Sequence, residues 1–236
     1  MAPISKRMRD PVNQPNIDFV ESRGQLRLGL LKSREWAEDP RRFLFSLARY
    51  KFVAKMLSEQ EQVLEIGCGD AFNAPILLQE VQALTVTDFD PLFIEDTKAR
   101  MLDEFQYEAL VHDFLDGPLG GRLFSAAYSL DVLEHIARDQ EDVFLANICA
   151  NLRDDGVLIV GMPSLESQSY ASPGSKAGHV NCKSMPKFRD TMRRHFANVF
   201  MFSMNDELVH SGYHKMAHYL IALCCGPKRY GKPSEP

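Results

Sequence analysis

Residues 63–70 of this 236-residue chain are Val-Leu-Glu-Ile-Gly-Cys-Gly-Asp, an apolar strand pattern that leads directly into a Gly-x-Gly turn. Glycine lets the backbone turn sharply and approach a ligand with no Cβ in the way. Dinucleotide-binding enzymes extend this pattern to Gly-x-Gly-x-x-Gly. Here Phe72 stands at the third glycine position and Pro75 follows closely, so the dinucleotide pattern is broken. A site for an adenosyl group without a pyrophosphate needs only the first two glycines.

Acidic residues end the next two predicted strands. Asp88 lies 21 residues after Gly67, where a carboxylate can accept hydrogen bonds from both ribose hydroxyls. Asp113 ends the third strand. A carboxylate there can accept a hydrogen bond from the exocyclic adenine amine, and the adjacent Phe114 can flank the ring. Because ligands of open α/β sheets bind at the carboxyl ends of the strands, the turn and the two acids together predict an adenosyl site.

The order of strand and helix patterns from residue 62 predicts a mostly parallel sheet with helices on both faces. Strands and helices follow as β-α-β-α-β-β-α-β-α, and two further strand-like runs come after them at Val199–Met204 and His218–Cys225. The first five strands are expected at Gln62–Ile66, Ala83–Asp88, Ala109–Asp113, Phe124–Leu130 and Val157–Met162. The helices are expected at Ala74–Val81, Leu92–Phe105, Arg138–Leu152 and Met185–His195.

An N-terminal extension and a short tail flank this pattern. Residues 1–24 are polar and contain three prolines, so they are expected to be disordered or to lie loosely on the surface. Asp39 and Pro40 mark the start of a helix, as its cap and its first residue, and apolar residues recur at helical spacing from there to Leu57. A shorter helix is expected around Leu26–Trp36. We therefore divide the chain into an extension with lid helices, a main domain and a tail, at 1–60, 61–226 and 227–236.

Five segments together resemble one known family: VLEIGCGD (63–70), VTDFDP (86–91), VHDF (111–114), SLDVLEHI (129–136) and LRDDGVLIVGMPS (152–164). They are similar to the successive motifs of class I S-adenosylmethionine-dependent methyltransferases, and the layout most resembles the small-molecule branch with ubiquinone and sugar methyltransferases. The resemblance implies a doubly wound, Rossmann-like α/β sheet of seven strands with the last one antiparallel. It implies in-line transfer of a methyl group from S-adenosylmethionine to oxygen or nitrogen of a small molecule, which leaves S-adenosylhomocysteine.

The same resemblance implies a set of site residues. His135 follows the fourth strand, near the expected methyl group, and is the candidate general base for a hydroxyl acceptor because its ordinary pKa lies near neutrality. Alternatively, His135 only begins the next helix. No metal is expected, since the further carboxylates of a catechol-type site and its Asp-Asn pair after the fifth strand are absent. His179 is expected as a surface residue, on a loop that overhangs an edge of the sheet. The expected cofactor residues are Glu65, Gly67, Cys68, Gly69, Asp88, Phe89, Asp113, Phe114, Leu130 and, on a lid helix, Arg49.

The composition is that of a globular protein, with 45% hydrophobic and 25% charged residues. A net charge of −5 gives no general attraction to nucleic acid, so no nucleic-acid partner is expected. The five cysteines include no Cys-x-x-Cys pair, which favours free thiols in the cytoplasm. No apolar run approaches the roughly 20 residues that span a bilayer. The expected partner is a small-molecule acceptor, and the oligomeric state stays open.

Charge is divided unevenly along the chain. Residues 1–60 hold 12 Lys and Arg against 7 Asp and Glu, whereas the remaining 176 residues hold 15 against 25. Mutual attraction can dock a basic lid on an acidic domain, or the basic segment can recruit an anionic acceptor. Two other functions stay open: a non-catalytic subunit that binds S-adenosylmethionine, and a nicotinamide oxidoreductase, which Phe72 disfavours.

Overall fold

One eight-stranded sheet forms the centre of the protein. The structure is a computed structural model that describes residues 7–229. Every predicted strand is present, and the fourth has the predicted bounds. In chain order the strands are β1 (Val63–Ile66), β2 (Leu84–Asp88), β3 (Glu108–Val111), β4 (Phe124–Leu130), β5 (Leu152–Pro163), β6 (Phe196–Asn205), β7 (Leu208–His210) and β8 (Tyr219–Pro227).

The strand order is β3-β2-β1-β4-β5-β8-β6-β7. The five strands from β3 to β5 are parallel, and β8 lies antiparallel between β5 and β6. The predicted doubly wound α/β sheet is therefore confirmed. The predicted number of seven strands was wrong by one, because β7 pairs with the end of β6 across a tight turn at Asp206. A three-residue strand is too short to leave an alternating pattern in the sequence.

Eight α-helices surround the sheet within residues 7–229, and the last has the predicted bounds. Residues 14–23 of the predicted disordered or loosely attached segment form a helix with Pro15 in its first turn, so they are not disordered but lie on the surface. That helix buries no residue, so it carries no apolar stripe that the sequence could reveal. The helices are α1 (Gln14–Arg23), α2 (Leu30–Glu38), α3 (Pro40–Met56), α4 (Ala74–Leu78), α5 (Pro91–Arg100), α6 (Glu141–Ala150), α7 (Pro173–Gly178) and α8 (Met185–His195).

The helices leave both faces of the sheet covered. Val63 and Leu64 are neighbours on β1 and point to opposite faces, and both are fully buried in separate apolar clusters. Val53 and Leu57, in and just after α3, join the same cluster as Val63. Helix α3 is thus part of the core although it lies in the predicted extension. In the described part of the chain, no helix is long and apolar enough to cross a membrane.

The tail begins as an anchored segment. Arg229 follows β8, and its guanidinium donates hydrogen bonds to the backbone carbonyls of Cys149 and Leu152 at 2.7 and 2.5 Å. Arg229 therefore holds the start of the predicted tail against the main domain. Residues 230–236 lie outside the described residues.

Candidate active site

The Gly-x-Gly turn at the end of β1 has a left-handed backbone, with φ of 73° at Gly67 and 53° at Gly69. The N–H groups of Gly67 and Cys68 both donate to the carbonyl of Thr87 on β2, at 2.8 and 2.9 Å. A Cβ on Gly67 would lie 2.3 Å from Cγ2 of Val132, in the loop after β4. The turn is therefore held against two neighbouring strands at a spacing that only glycine permits.

Asp88 ends β2 directly beside this turn. Its Oδ2 accepts a hydrogen bond from the N–H of Gly69 at 2.8 Å, and its Oδ1 accepts one from the N–H of Asp90 at 3.0 Å. Each oxygen keeps lone-pair capacity for a further donor. Burial raises the pKa of Asp88, and the backbone donors oppose that change. The next residue, Phe89, is 70% exposed, so its ring is accessible to a ligand.

Asp113 and Phe114 follow β3 and point in different directions. Asp113 is partly exposed and accepts a hydrogen bond from the N–H of Leu115 at 2.8 Å. Phe114 is only 2% exposed and packs edge-to-face against Phe144 of α6. Phe114 lies in the turn after β3 and joins the same apolar cluster as Leu64. The predicted contact of the Phe114 ring with an adenine stays a prediction.

Glu65 is enclosed between two tyrosines. The hydroxyl of Tyr50 on α3 donates to Oε1, and the hydroxyl of Tyr128 on β4 donates to Oε2 at 2.8 Å. Burial raises the pKa of Glu65 to about 7, although both tyrosine hydroxyls act to lower it. Glu65 thus ties α3 to the sheet beneath the glycine turn. Its predicted contact with the cofactor stays a prediction.

We expect Glu65→Gln to stabilise the protein at pH 8 but not at pH 4. The folded protein keeps the Glu65 proton up to about pH 7, whereas the ordinary pKa is 4.5. Because the folded protein binds this proton more tightly than the unfolded chain does, protonated Glu65 adds to the free energy of unfolding. That contribution is fully present below pH 4.5 and is lost as the pH rises through 7. Glutamine does not ionise, so at pH 8 the variant does not lose the free energy of unfolding that the wild type loses, about 3 kcal/mol.

Thermal unfolding at the two pH values measures this difference. Glu95→Gln, on the exposed side of α5, is the matched control and should change stability little at either pH. An equal gain for Glu65→Gln at pH 4 and pH 8 would contradict the assignment.

Cys68 and Leu130 are the other predicted cofactor residues with little exposed surface. The Cys68 thiol donates to the carbonyl of Gly69 at 3.3 Å, and burial raises its pKa, so the thiol stays neutral. Leu130 ends β4 and packs against Gly161 of β5, where an added Cβ would lie 2.7 Å from the Leu130 side chain. Both residues therefore pack beneath the site, and their contact with the cofactor stays a prediction.

Arg49 extends from α3 to the loop after β4. Its Nη1 donates to both carboxylate oxygens of Asp131, at 2.9 and 2.7 Å. The guanidinium also stacks on the Tyr219 ring, 3.7 Å from its centroid. Asp131 adopts a left-handed φ of 58°. In this structure Arg49 thus binds a carboxylate of the protein itself, that of Asp131. Its predicted bond to the carboxylate of the cofactor stays a prediction.

The start of α2 contacts the loop after the glycine turn, through residues that the sequence analysis missed. The N–H of Lys32 donates to Oδ2 of Asp70 at 2.8 Å, and a Cβ on Gly29 would lie 2.2 Å from the same oxygen. The buried ammonium of Lys32 donates to Ser46 of α3, which also accepts from Asn73 at 2.8 Å. The sequence feature that could have indicated this contact is the position of Asp70 directly after the Gly-x-Gly turn.

Glu134, His135 and His179 form a compact cluster beyond the end of β4. One ligand-capable atom from each residue lies within 4.8 Å of the others. Nδ1 of His135 is 3.0 Å from the carbonyl of Gly178, and Nδ1 of His179 is 2.9 Å from Oε1 of Gln168. Burial and the nearby His135 lower the pKa of His179. His179 is partly exposed on its loop, in line with the expected surface position, and the loop after α7 brings its ring beside that of His135.

The carboxyl group of Glu134 is the most enclosed part of this cluster. Glu134 is 1% exposed, and its Oε2 has no hydrogen-bond partner among residues 7–229. Burial raises the pKa of Glu134 well above its ordinary value, and Asp131 raises it further.

Another histidine, His210, is not part of this cluster. It lies at the end of β7, where its ring bonds to Asn205.

A family model described as a methyltransferase domain matches residues 63–156. This segment includes the glycine turn, Asp88, Asp113 and the loop that holds His135, and it ends within β5. Residues 63–156 are therefore a methyltransferase domain. Its cofactor is S-adenosylmethionine, and the protein is an enzyme that uses it to transfer methyl groups. Comparison with curated proteins gave no match.

Solved structures share the methyltransferase fold at low sequence identity. The N-methyltransferase NodS from Bradyrhizobium japonicum WM9, in complex with S-adenosylhomocysteine, is 19% identical with a TM-score of 0.58, over 83% of this chain and 96% of that one. A DhpI complex with S-adenosylhomocysteine is 15% identical with a TM-score of 0.61, over 84% and 92%. The small RNA methyltransferase HEN1 is 16% identical with a TM-score of 0.63, over 80% of this chain and 26% of that one.

The residues at the sheet edge suit S-adenosylmethionine. Asp88 offers two carboxylate oxygens with free lone pairs for a ribose diol, and Asp113 offers an acceptor for an adenine amine. The glycine turn carries no side chain that would block the backbone from a ligand. The absence of a pyrophosphate in this cofactor explains why Phe72 is tolerated in place of a third glycine.

Proposed function

We propose that the methyltransferase acts on a small-molecule acceptor, at oxygen or nitrogen. The supporting observation is the cover over the carboxyl edge of the sheet. Helix α2 bonds to Asp70 beside the glycine turn, and α3 supplies Arg49 to Asp131 and Tyr50 to Glu65. Helices placed over this edge favour an enclosed acceptor over a long polymer.

Each residue of the site has a proposed role. The backbone at Gly67 and Gly69 lies along the cofactor, Asp88 holds the ribose and Asp113 the adenine amine. The cofactor supplies a methyl group that its sulfonium already activates, so the protein needs no covalent intermediate. The protein holds the acceptor in line with that methyl group. His135 activates a hydroxyl acceptor at the end of β4.

A nucleic-acid acceptor is the alternative that the fold alone leaves open, since HEN1 is titled a small RNA methyltransferase. Charge argues against it here. The chain has a net charge of −5, and the excess of acids falls after residue 60, where the site lies. A phosphate backbone is bound mainly by Lys and Arg.

The five cysteines are free thiols. Free thiols suit a reducing compartment, and we place the protein in the cytoplasm.

An acceptor screen tests the proposal. S-adenosylhomocysteine release is measured with panels of small hydroxyl and amine compounds and, separately, with small RNA. We expect turnover with a member of the small-molecule panel and none with RNA. Turnover with RNA alone would contradict the proposal.

A further inference from the structure

We propose that Glu134, His135 and His179 bind a divalent transition-metal ion, which in turn coordinates the methyl acceptor. The ion's place in the reaction rests on the proposed function, whereas its binding does not. This proposal replaces the expectation of no metal, which rested on the missing sequence patterns of structural zinc sites and of catechol-type sites. The three residues offer one carboxylate and two imidazoles within 4.8 Å of one another.

The hydrogen bonds of both histidines leave the same nitrogen free. The Gly178 carbonyl can only accept a hydrogen bond, so Nδ1 of His135 is the donor in the 3.0 Å contact. The amide oxygen of Gln168 is likewise an acceptor, so Nδ1 of His179 is the donor at 2.9 Å. Each ring therefore carries its lone pair on Nε2. Metal-binding histidines have this arrangement, with the second N–H held by a carbonyl or carboxylate oxygen.

Glu134 supplies the independent observation that points to a cation. Its side chain is almost fully buried, and Oε2 has no hydrogen-bond partner in the described part of the chain. A buried carboxylate oxygen without a hydrogen-bond partner is costly, and buried charges are ordinarily paired or bound to metal. The nearby cation, Arg49, directs its guanidinium to Asp131 instead. A bound metal ion would be the missing partner of Glu134.

The two segments that carry these residues are joined firmly. Glu134 and His135 lie on a short 3-10 turn, Leu133–His135, directly after β4. The N–H of Asn181 donates to the carbonyl of Glu134 at 3.0 Å, which holds the segment of His179 beside that turn. The Asn181 side chain also donates to Glu141 of α6 at 2.8 Å. The ligands are therefore positioned before an ion arrives, which lowers the entropic cost of binding.

The ligand types select the kind of ion. Two imidazoles and one carboxylate suit Zn²⁺, Mn²⁺, Fe²⁺ or Co²⁺, whereas Mg²⁺ and Ca²⁺ prefer oxygen ligands. Three protein ligands leave coordination positions open for an acceptor oxygen. Coordination lowers the pKa of a hydroxyl, so its proton leaves to solvent. The acceptor oxygen then forms the new bond to the methyl carbon while the carbon–sulfur bond breaks and its electron pair stays on sulfur.

His135 has one lone pair for two roles. The direct base that the sequence predicted and the metal ligand proposed here both use Nε2, so they exclude each other. In the metal-bound enzyme, His135 acts on the acceptor through the ion. Removal of the ion by a chelator should then abolish transfer to a hydroxyl, whereas a direct base would keep working.

Isothermal titration of the chelator-treated full-length protein with Zn²⁺, Mn²⁺ and Mg²⁺ tests binding without any need for turnover. We expect one site for Zn²⁺ or Mn²⁺ and much weaker binding of Mg²⁺. Glu134→Gln and His179→Ala should each weaken the affinity by about 100-fold or more, since each removes a ligand. His210→Ala, a histidine on the far edge of the sheet, is the matched control and should bind as the wild type does.

Two further measurements separate a metal site from a merely structural cluster. Gln168→Leu removes the acceptor for the Nδ1 proton of His179 and should weaken metal binding by about 10- to 100-fold. A metal concentration of 100 times Kd should raise the wild-type Tm by about 5–10 °C and leave that of His179→Ala unchanged.

The outcomes distinguish this proposal from the proposed function. No saturable binding of Zn²⁺ or Mn²⁺, or equal binding by wild type, Glu134→Gln and His179→Ala, would overturn the metal site whatever the enzyme methylates. Metal binding with the expected variant losses, together with turnover on RNA alone, would keep the site and remove the small-molecule acceptor. Full methyl transfer to a hydroxyl after chelation would remove the ion from the reaction.

Discussion

Gly67→Ala is expected to lower the free energy of unfolding by about 2–5 kcal/mol. A left-handed φ of 73° costs a residue with a Cβ about 1–2 kcal/mol. The added Cβ would also lie 2.3 Å from Cγ2 of Val132, and such overpacking costs about 1–3 kcal/mol more. Because the Gly67 N–H is bonded to Thr87, relief by moving the turn would break a contact with β2. Denaturant unfolding measures the loss.

Two variants separate the backbone strain from the collision. Gly121 has a φ of 68°, and a Cβ there would meet no heavy atom within 4 Å, so Gly121→Ala should cost only about 1–2 kcal/mol. Val132→Ala removes the colliding methyl group and should recover part of the stability when combined with Gly67→Ala. If Gly67→Ala and Gly121→Ala cost the same, the steric account of this turn is wrong.

Asp88→Ala is expected to weaken S-adenosylmethionine binding by about 10- to 100-fold. The carboxylate is the proposed acceptor for both ribose hydroxyls, and hydrogen bonds to charged groups contribute about 1–3 kcal/mol. The substitution also removes the acceptor for the Gly69 N–H, which loosens the glycine turn against β2. Isothermal titration with S-adenosylmethionine measures the change.

Asp90→Ala is the control for this experiment. The Asp90 carboxylate caps α5 by accepting from the N–H of Leu92 at 2.9 Å, so its loss should cost about 0.5–2 kcal/mol of stability. We expect no comparable loss of cofactor affinity, because its role is at the helix end. Unchanged affinity in Asp88→Ala, or an equal loss in both variants, would remove Asp88 from the ribose site.

The features that the sequence predicted are those with strong local patterns. Strand β4 and helix α8 have the predicted bounds because their apolar periodicities are continuous and their ends are marked. The glycine turn and Asp88 were placed together correctly, since parallel strands that pair bring their carboxyl ends to one edge. These predictions need only neighbouring residues and the general order of a doubly wound sheet.

The missed features depend on contacts between distant residues. His179 lies far along the chain from His135, and only the folded loop after α7 brings the rings together. The burial of Phe114 depends on its packing against Phe144 of α6, which its motif does not encode. Helix α1 buries nothing, so it left no periodic signal. The buried Glu134 oxygen without a hydrogen-bond partner among residues 7–229 likewise becomes visible only in three dimensions.

The ion pair between Arg49 and Asp131 joins residues that are 82 positions apart in the chain. At typical synthesis rates of about 5–20 residues per second, the ribosome makes Asp131 roughly 4–16 s after Arg49. Throughout that interval Asp131 has not been made, so the guanidinium of Arg49 lacks its carboxylate partner from the loop after β4. Contacts that close long loops form late. Tyr50 of the same helix meets Glu65 only 15 residues later, so the cover is fastened to the sheet first through Tyr50 and afterwards through Arg49.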